Sequence, residues 1–119
     1  MNEAKKELVY LAIPYTFNAE ESFKVANKVA AELMKRGYIL FSPVTHSHPI
    51  SKHFNKSIQF DHDFWMEQDL PLLRICDKVI FVVIGDDGLD LIENSRGCQS
   101  EKNEALKYNI PIEFWKYNY

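Results

Sequence analysis

Three side chains of this sequence are of the types that break and make bonds: Glu101, Asp69 and Tyr10. Glu101 falls in "SRGCQSEKNEA", which opens like a helix, with Ser95 as its cap and Gly97 letting the backbone come close to a ligand. On a helical wheel Glu101 lies one turn from both Cys98 and Ala105, at the margin of the apolar stripe, while Glu104 and Lys107 point away. A carboxylate aimed at a cleft suits a nucleophile or a base; the competing explanation is an ordinary first-turn glutamate favoured by the helix dipole. Asp69 follows Trp65 by four residues, and is either a second functional carboxyl or a solvated helix residue ahead of Pro71. Tyr10, inside an apolar run, is either an orienting phenol or a core tyrosine. Two carboxyl groups in different environments and a phenol suffice for glycosyl chemistry: one attacks or stabilises the sugar carbon, the other manages the proton of the leaving group.

The elements that must position these groups are readable from apolar periodicity. Residues 8–13 of "ELVYLAIPY" form a buried strand stopped by Pro14. Asn18 caps a helix through Phe23, Ala26, Val29, Ala30, Leu33 and Met34, which Gly37 closes. "YILFSP" is a short strand, and residues 44–59 form a polar, His-rich loop. A helix from Asp61 or Phe64 to Cys76 turns Trp65, Leu72, Leu73 and Cys76 inward. "KVIFVVIG" is a strand covered on both faces, "DDGLDLIEN" a loop, 95–109 a helix and "IPIEFW" a last strand. Strands alternating with helices predict a doubly wound α/β fold, flavodoxin-like or Rossmann-like. Its parallel sheet would have four to five strands in the order 2-1-3-4, with helices on both faces.

In such a sheet, ligands bind beyond the carboxyl ends of the strands. That rule selects three loops and the residues they carry: Pro14, Tyr15 and Phe17; Ser42, His46 and His48; and Ser95, Arg96 and Gly97. Tyr15, Phe17 and Trp65 offer aromatic faces for stacking. His46 and His48, on an extended segment, would put both rings on one side as metal ligands do, but hydrogen bonding to a phosphate or sugar hydroxyl is the better use for loop histidines beside Ser42, Thr45 and Ser47. The GxGxxG fingerprint, the P-loop and the G-x-S-x-G elbow are absent from the sequence, so dinucleotide, NTPase and serine-hydrolase readings lack their signatures.

Composition narrows the rest. At 119 residues and 46% hydrophobic, the expectation is one domain over 1–119. The net charge of −3, with lysine and arginine scattered, argues against a nucleic-acid polymer or membrane surface as partner. Two cysteines make no disulfide framework and the N-terminus has no apolar signal core, so a cytoplasmic location without a secretion signal is expected.

Four pieces together resemble the nucleoside 2-deoxyribosyltransferase-like superfamily: "VYLAIPY", "FSPVTHSHP", "DLPLLRICDKVIFV" and "SRGCQSE". The "SPVTHSHP" piece is similar to a bacterial branch marked by an SPxxHSHP loop. The resemblance implies that Glu101, four residues after Gly97, attacks the anomeric carbon. It implies that Asp69, eight residues before Asp77, handles protons at the base, and that Tyr10 orients the nucleophile. In the base-exchanging transferases an aspartate that binds the 5′-hydroxyl precedes the nucleophile by six residues. Here that position is Ser95, as in the deoxynucleoside 5′-monophosphate N-glycosidases, where a serine contacts the 5′-phosphate. An aspartate would repel a phosphate, whereas a hydroxyl at a helix N-terminus can donate to it, with Arg96 in reinforcement. The resemblance therefore implies an N-glycosidase or deoxyribosyltransferase of a nucleoside or nucleotide, with no cofactor, assembled as a homo-oligomer (dimer or tetramer). Its rivals are a non-catalytic nucleotide sensor and a metal-dependent hydrolase built on His46 and His48.

Overall fold

A computed structural model describes residues 6–15 and 18–118. Four parallel strands form one sheet in the order β2-β1-β3-β4: β1 (Leu8–Ala12), β2 (Ile39–Phe41), β3 (Lys78–Ile84) and β4 (Ile112–Tyr117). Tyr10 of β1 pairs with Phe41 on one side and Val79 on the other. Strand side chains alternate between faces, so β1 splits cleanly. Val9, Leu11 and Ile13 pack with Val25, Val29 and Leu33 of α1 (Ala19–Lys35) on one side. Tyr10 and Ala12 turn to the other side, toward Leu73 of α4 (His62–Arg74) and Cys98 and Ala105 of α6 (Arg96–Lys107). This is the doubly wound arrangement expected, with the site-bearing helices α4 and α6 packed together on the Tyr10 side.

The caps follow local chemistry. Asn18 accepts from the Glu21 amide at 3.1 Å, and Gly37 takes the positive φ of 100° that terminates α1. Within α1, Met34 is exposed and Val25 is buried, so the apolar stripe is rotated slightly from the one expected.

Two segments expected as loops are helical. Residues 43–51 form α2 (Pro43–Ser51), and Lys56–Gln59 form the single turn α3. The reason lies in capping rather than hydrophobic pattern: Ser42 caps the Thr45 amide at 3.4 Å and Pro43 occupies the first helical position, where its missing N–H costs nothing. Asn55 does the same for the Ile58 amide at 3.2 Å. "DDGLDLIEN" likewise contains α5 (Gly88–Glu93). It packs so tightly on β3 that a Cβ on Gly88 would stand 2.6 Å from Val83 Cγ1 and 2.8 Å from the Val83 carbonyl carbon. Within α4, Leu73 and Cys76 at its end are buried, Trp65 is half-buried, and Leu72 is 38% exposed, because its face looks into a cleft.

Candidate functional site

Tyr10 and Glu101 meet in the interior. The Tyr10 hydroxyl donates to Glu101 Oε2, joining the middle of β1 to the second turn of α6. Tyr10 is fully buried and Glu101 is 6% exposed, so neither is a solvated surface group. Asp69, also 6% exposed, sits on the inner face of α4, close enough to act on both electrostatically. Burial is the main cause of the shifts that result. It pushes the Asp69 carboxyl up to about 7. Burial also pushes Glu101 up to about 8; the Tyr10 hydrogen bond opposes this and the Asp69 charge adds to it. Tyr10 is held well above its ordinary range by burial and then by the charges of Glu101 and Asp69. Two carboxyl groups coupled in this way titrate as a pair, which passes through a singly protonated form between about 7 and 8.

Of the three, Asp69 lines a cleft of about 200 Å³ beside the carboxyl end of β2. Its walls are mostly aromatic and apolar: Phe41, Ile50, Phe54, Phe64, Trp65 and Leu72. Polar groups are few: His46, Ser47, Gln68 and Asp69. The Trp65 indole N–H donates to the Gln59 carbonyl at 3.0 Å, which leaves the ring itself facing the cleft. Phe54, Phe64 and Trp65 contact one another edge to face, with centroids 5.0 to 6.0 Å apart. An apolar, aromatic cleft with few polar groups can take a planar ligand, and burial lets the Asp69 carboxyl in its wall hold or release a proton near neutral pH.

Ser95, Arg96 and Gly97 stand together at the start of α6. Ser95 is buried and accepts from the Cys98 amide at 3.1 Å. Arg96 is exposed, its guanidinium 4.0 Å from Asp63. Gly97 needs no glycine for internal packing, because an added Cβ would meet only Met66 Cε at 3.9 Å and Ser95 Oγ at 4.0 Å. Cys98 lies beneath, and burial holds its thiol far above the range in which it would react.

The β1 and β2 loops contribute differently. Pro14 is buried, its carbonyl accepting from Ser22 Oγ at 2.7 Å. Ser42 donates to Thr45 Oγ1 at 2.9 Å. Because residues 46 and 48 are helical, their side chains diverge instead of sharing a side, which removes the geometric basis for a paired histidine site. His46 lies on the cleft wall with its ring against Phe41. His48 is buried between Tyr15, whose hydroxyl meets its Nδ1, and Glu20, whose Oε1 is 2.9 Å from its Nε2. Among the described residues, no three His, Cys, Asp or Glu groups come together as a metal site requires. Phe17 lies outside the described residues.

Sequence reasoning passed over Phe41, Ile50, Phe54, Phe64 and Gln68. The pair Phe64–Trp65 one turn ahead of Asp69 was an available signal. The wall from α2 and the segment after it was not, since it exists only once residues 43–51 are helical.

The fold and the site thus define a doubly wound α/β domain with a buried phenol–carboxyl pair and an acid-lined aromatic cleft. Over residues 7–117 the chain matches the family described as Domain of unknown function (DUF1937), and it belongs to that family. No curated protein matches it. Among solved structures, it is similar in fold to a 2-deoxyribosyltransferase from Bacillus psychrosaccharolyticus, with a TM-score of 0.63 and 23% identity, over 92% of this chain and 72% of that one. No helix among the described residues is long and apolar enough to cross a membrane.

Proposed function

We propose that this chain cleaves the N-glycosidic bond of a nucleoside or nucleoside 5′-monophosphate, as an N-glycosidase or a deoxyribosyltransferase. The observation that carries the reading is the Tyr10–Glu101 hydrogen bond, coupled to an Asp69 carboxyl that faces an aromatic cleft. The fold shared with a 2-deoxyribosyltransferase supports it.

In this reading the base stacks in the cleft against Trp65. The ionised Glu101 carboxylate attacks C1′ while the C1′–N bond breaks, and Asp69 gives its proton to the departing base nitrogen. Tyr10 holds the attacking carboxylate in place through its hydroxyl. Asp69, now ionised, takes a proton from water or from an incoming base as that acceptor attacks C1′ and releases Glu101. Ser95, Arg96 and Gly97 hold the 5′-phosphate at the start of α6, and Pro14, Ser42 and His46 shape the sugar end, with His48 holding α2 in place behind it. Residues 1–119 then form one catalytic domain, a cytoplasmic homo-oligomer acting on a small molecule without a cofactor.

The test is chromatographic detection of free base from deoxynucleoside and ribonucleoside 5′-monophosphates and from nucleosides, with and without a second base as acceptor. Base released by the wild type and reduced at least about 1,000-fold in Glu101→Gln is the expected result. Saturable binding with no base released under any condition would instead mark the chain as a nucleotide sensor.

A further inference from the structure

The helix α2 presents two faces with different duties. His46, Ser47 and Ile50 line the cleft, whereas Thr45, His48 and Lys52 at its end meet α1. These last three are spaced three and four residues apart, and so are their partners Asn27, Phe23 and Glu20 along α1, taken in reverse order. Thr45 Oγ1 donates to Asn27 Oδ1 at 2.7 Å. The His48 ring lies on Phe23 with centroids 4.6 Å apart. His48 Nε2 and Lys52 Nζ both reach Glu20 Oε1, at 2.9 and 3.0 Å.

Val44 gives α2 only a small apolar contact with the core, and this polar stripe adds the rest of its attachment to α1. A nine-residue helix is marginal alone, Pro49 removes one of its internal donors, and its buried residues are only Pro43, His48 and Ser51. His48 is the centre of the attachment, 5% exposed with both ring nitrogens engaged. The Glu20 carboxylate can only accept, so Nε2 carries a hydrogen, and Nδ1 meets the Tyr15 hydroxyl. One imidazole therefore ties the segment after β1, helix α1 and helix α2 together.

We propose that His48 is a positioning residue: it fixes α2 against α1 and Tyr15, and so sets the distance of the His46–Ile50 wall from Trp65 and Asp69 across the cleft. The inference rests on the glycosidic reading for its activity readout, but the positioning itself is accessible by binding. A wall displaced by about 1 Å weakens a stacked ligand strongly, while the Tyr10–Glu101 pair on β1 and α6 is untouched.

The experiment compares wild type with His48→Phe, which keeps the ring contact on Phe23 and loses both hydrogen bonds, and with Tyr15→Phe and Glu20→Gln. Glu20→Gln retains an acceptor for Nε2 and serves as the conservative control. Base release should show KM raised about 10-fold or more in His48→Phe, with kcat within about threefold, a smaller KM rise in Tyr15→Phe, and near wild-type values in Glu20→Gln. In parallel, Trp65 fluorescence in a Trp115→Phe background is titrated with purine and pyrimidine deoxynucleoside 5′-monophosphates. If wild type releases no base, the glycosidic reading fails, and a Kd raised about 10-fold in His48→Phe still upholds the positioning role. A lowered melting temperature with KM and Kd unchanged reduces His48 to a structural tie and overturns the proposal. So does a wild type that binds none of these nucleotides. Should His48→Phe fail to fold, unchanged KM and Kd in Tyr15→Phe decide against it.

Discussion

The carboxyl values at the site invert the assignment a glycosidic mechanism would ordinarily favour. Burial places Glu101 near 8 and Asp69 near 7, yet the proposed attack needs Glu101 ionised and Asp69 protonated. The working form in this mechanism is the singly protonated state with its proton on Asp69, the less populated of the two arrangements at these values. Raising pH through the first value creates this state and raising it through the second destroys it. A bell-shaped profile of kcat/KM with its maximum between about pH 7 and 8 is therefore expected. Asp69→Asn should remove the alkaline limb together with most of the activity, and a flat wild-type profile from pH 6 to 9 would refute the shared-proton account. Ser95 gives a second prediction at this scale. Ser95→Asp keeps an oxygen to cap the Cys98 amide, so the fold should persist, while its charge opposes a phosphate. The ratio of kcat/KM for a nucleoside 5′-monophosphate over its nucleoside should fall by about 10-fold or more. An unchanged ratio would remove Ser95 from the phosphate subsite.

Two glycines separate packing from function at the scale of elements. Gly88→Ala drives a methyl group into Val83, including its backbone carbon, and α5 has little freedom to retreat from β3. A loss of about 1 to 3 kcal/mol in denaturant unfolding is expected. Gly97→Ala meets only ordinary contacts, so its stability should stay within about 1 kcal/mol of wild type. If the backbone at Gly97 approaches the substrate, KM should nevertheless rise about 10-fold, and an unaltered KM would show that the approach is not made. Helix α2 explains what periodicity could and could not deliver. Its start signal, Ser42 followed by Pro43, is present in the sequence, but its faces are mostly polar, with Val44 and Ile50 as isolated apolar contacts, and a pattern of apolar residues does not reveal a helix held largely by hydrogen bonds. The strand KVIFVVI and helix α1, both anchored by apolar burial, were legible for the opposite reason.

Across the whole molecule, the buried carboxyl groups oppose stability at alkaline pH. Both have folded-state pKa values above the unfolded range near 4, so the folded state binds more protons. The stabilisation linked to these protons is complete below about pH 4 and is lost as pH rises through about 7 and 8. Glu101→Gln and Asp69→Asn escape this loss. Each should exceed wild type by about 1 to 3 kcal/mol at pH 9, with the difference shrinking toward pH 4. Thermal melts across that range measure it, and equal stabilities at pH 9 would contradict burial as the cause of the shifts.

Local chemistry determined the parallel α/β class, the strand order and which three segments follow the strands at the carboxyl rim, though not that two of them fold partly as helices, because apolar periodicity, caps and right-handed crossovers are the signals that a sequence carries. It could place Tyr10, Asp69 and Glu101 on three separate elements, each with an ordinary alternative explanation. Tertiary structure decided that Tyr10 bonds to Glu101, that Asp69 is buried near them, and that a wall from β2, α2, the segment after it and α4 forms the cleft beside that carboxyl. The physical reason is that burial and charge coupling belong to no single segment: a carboxyl near 8 exists only where strand and helix exclude water from both sides of it.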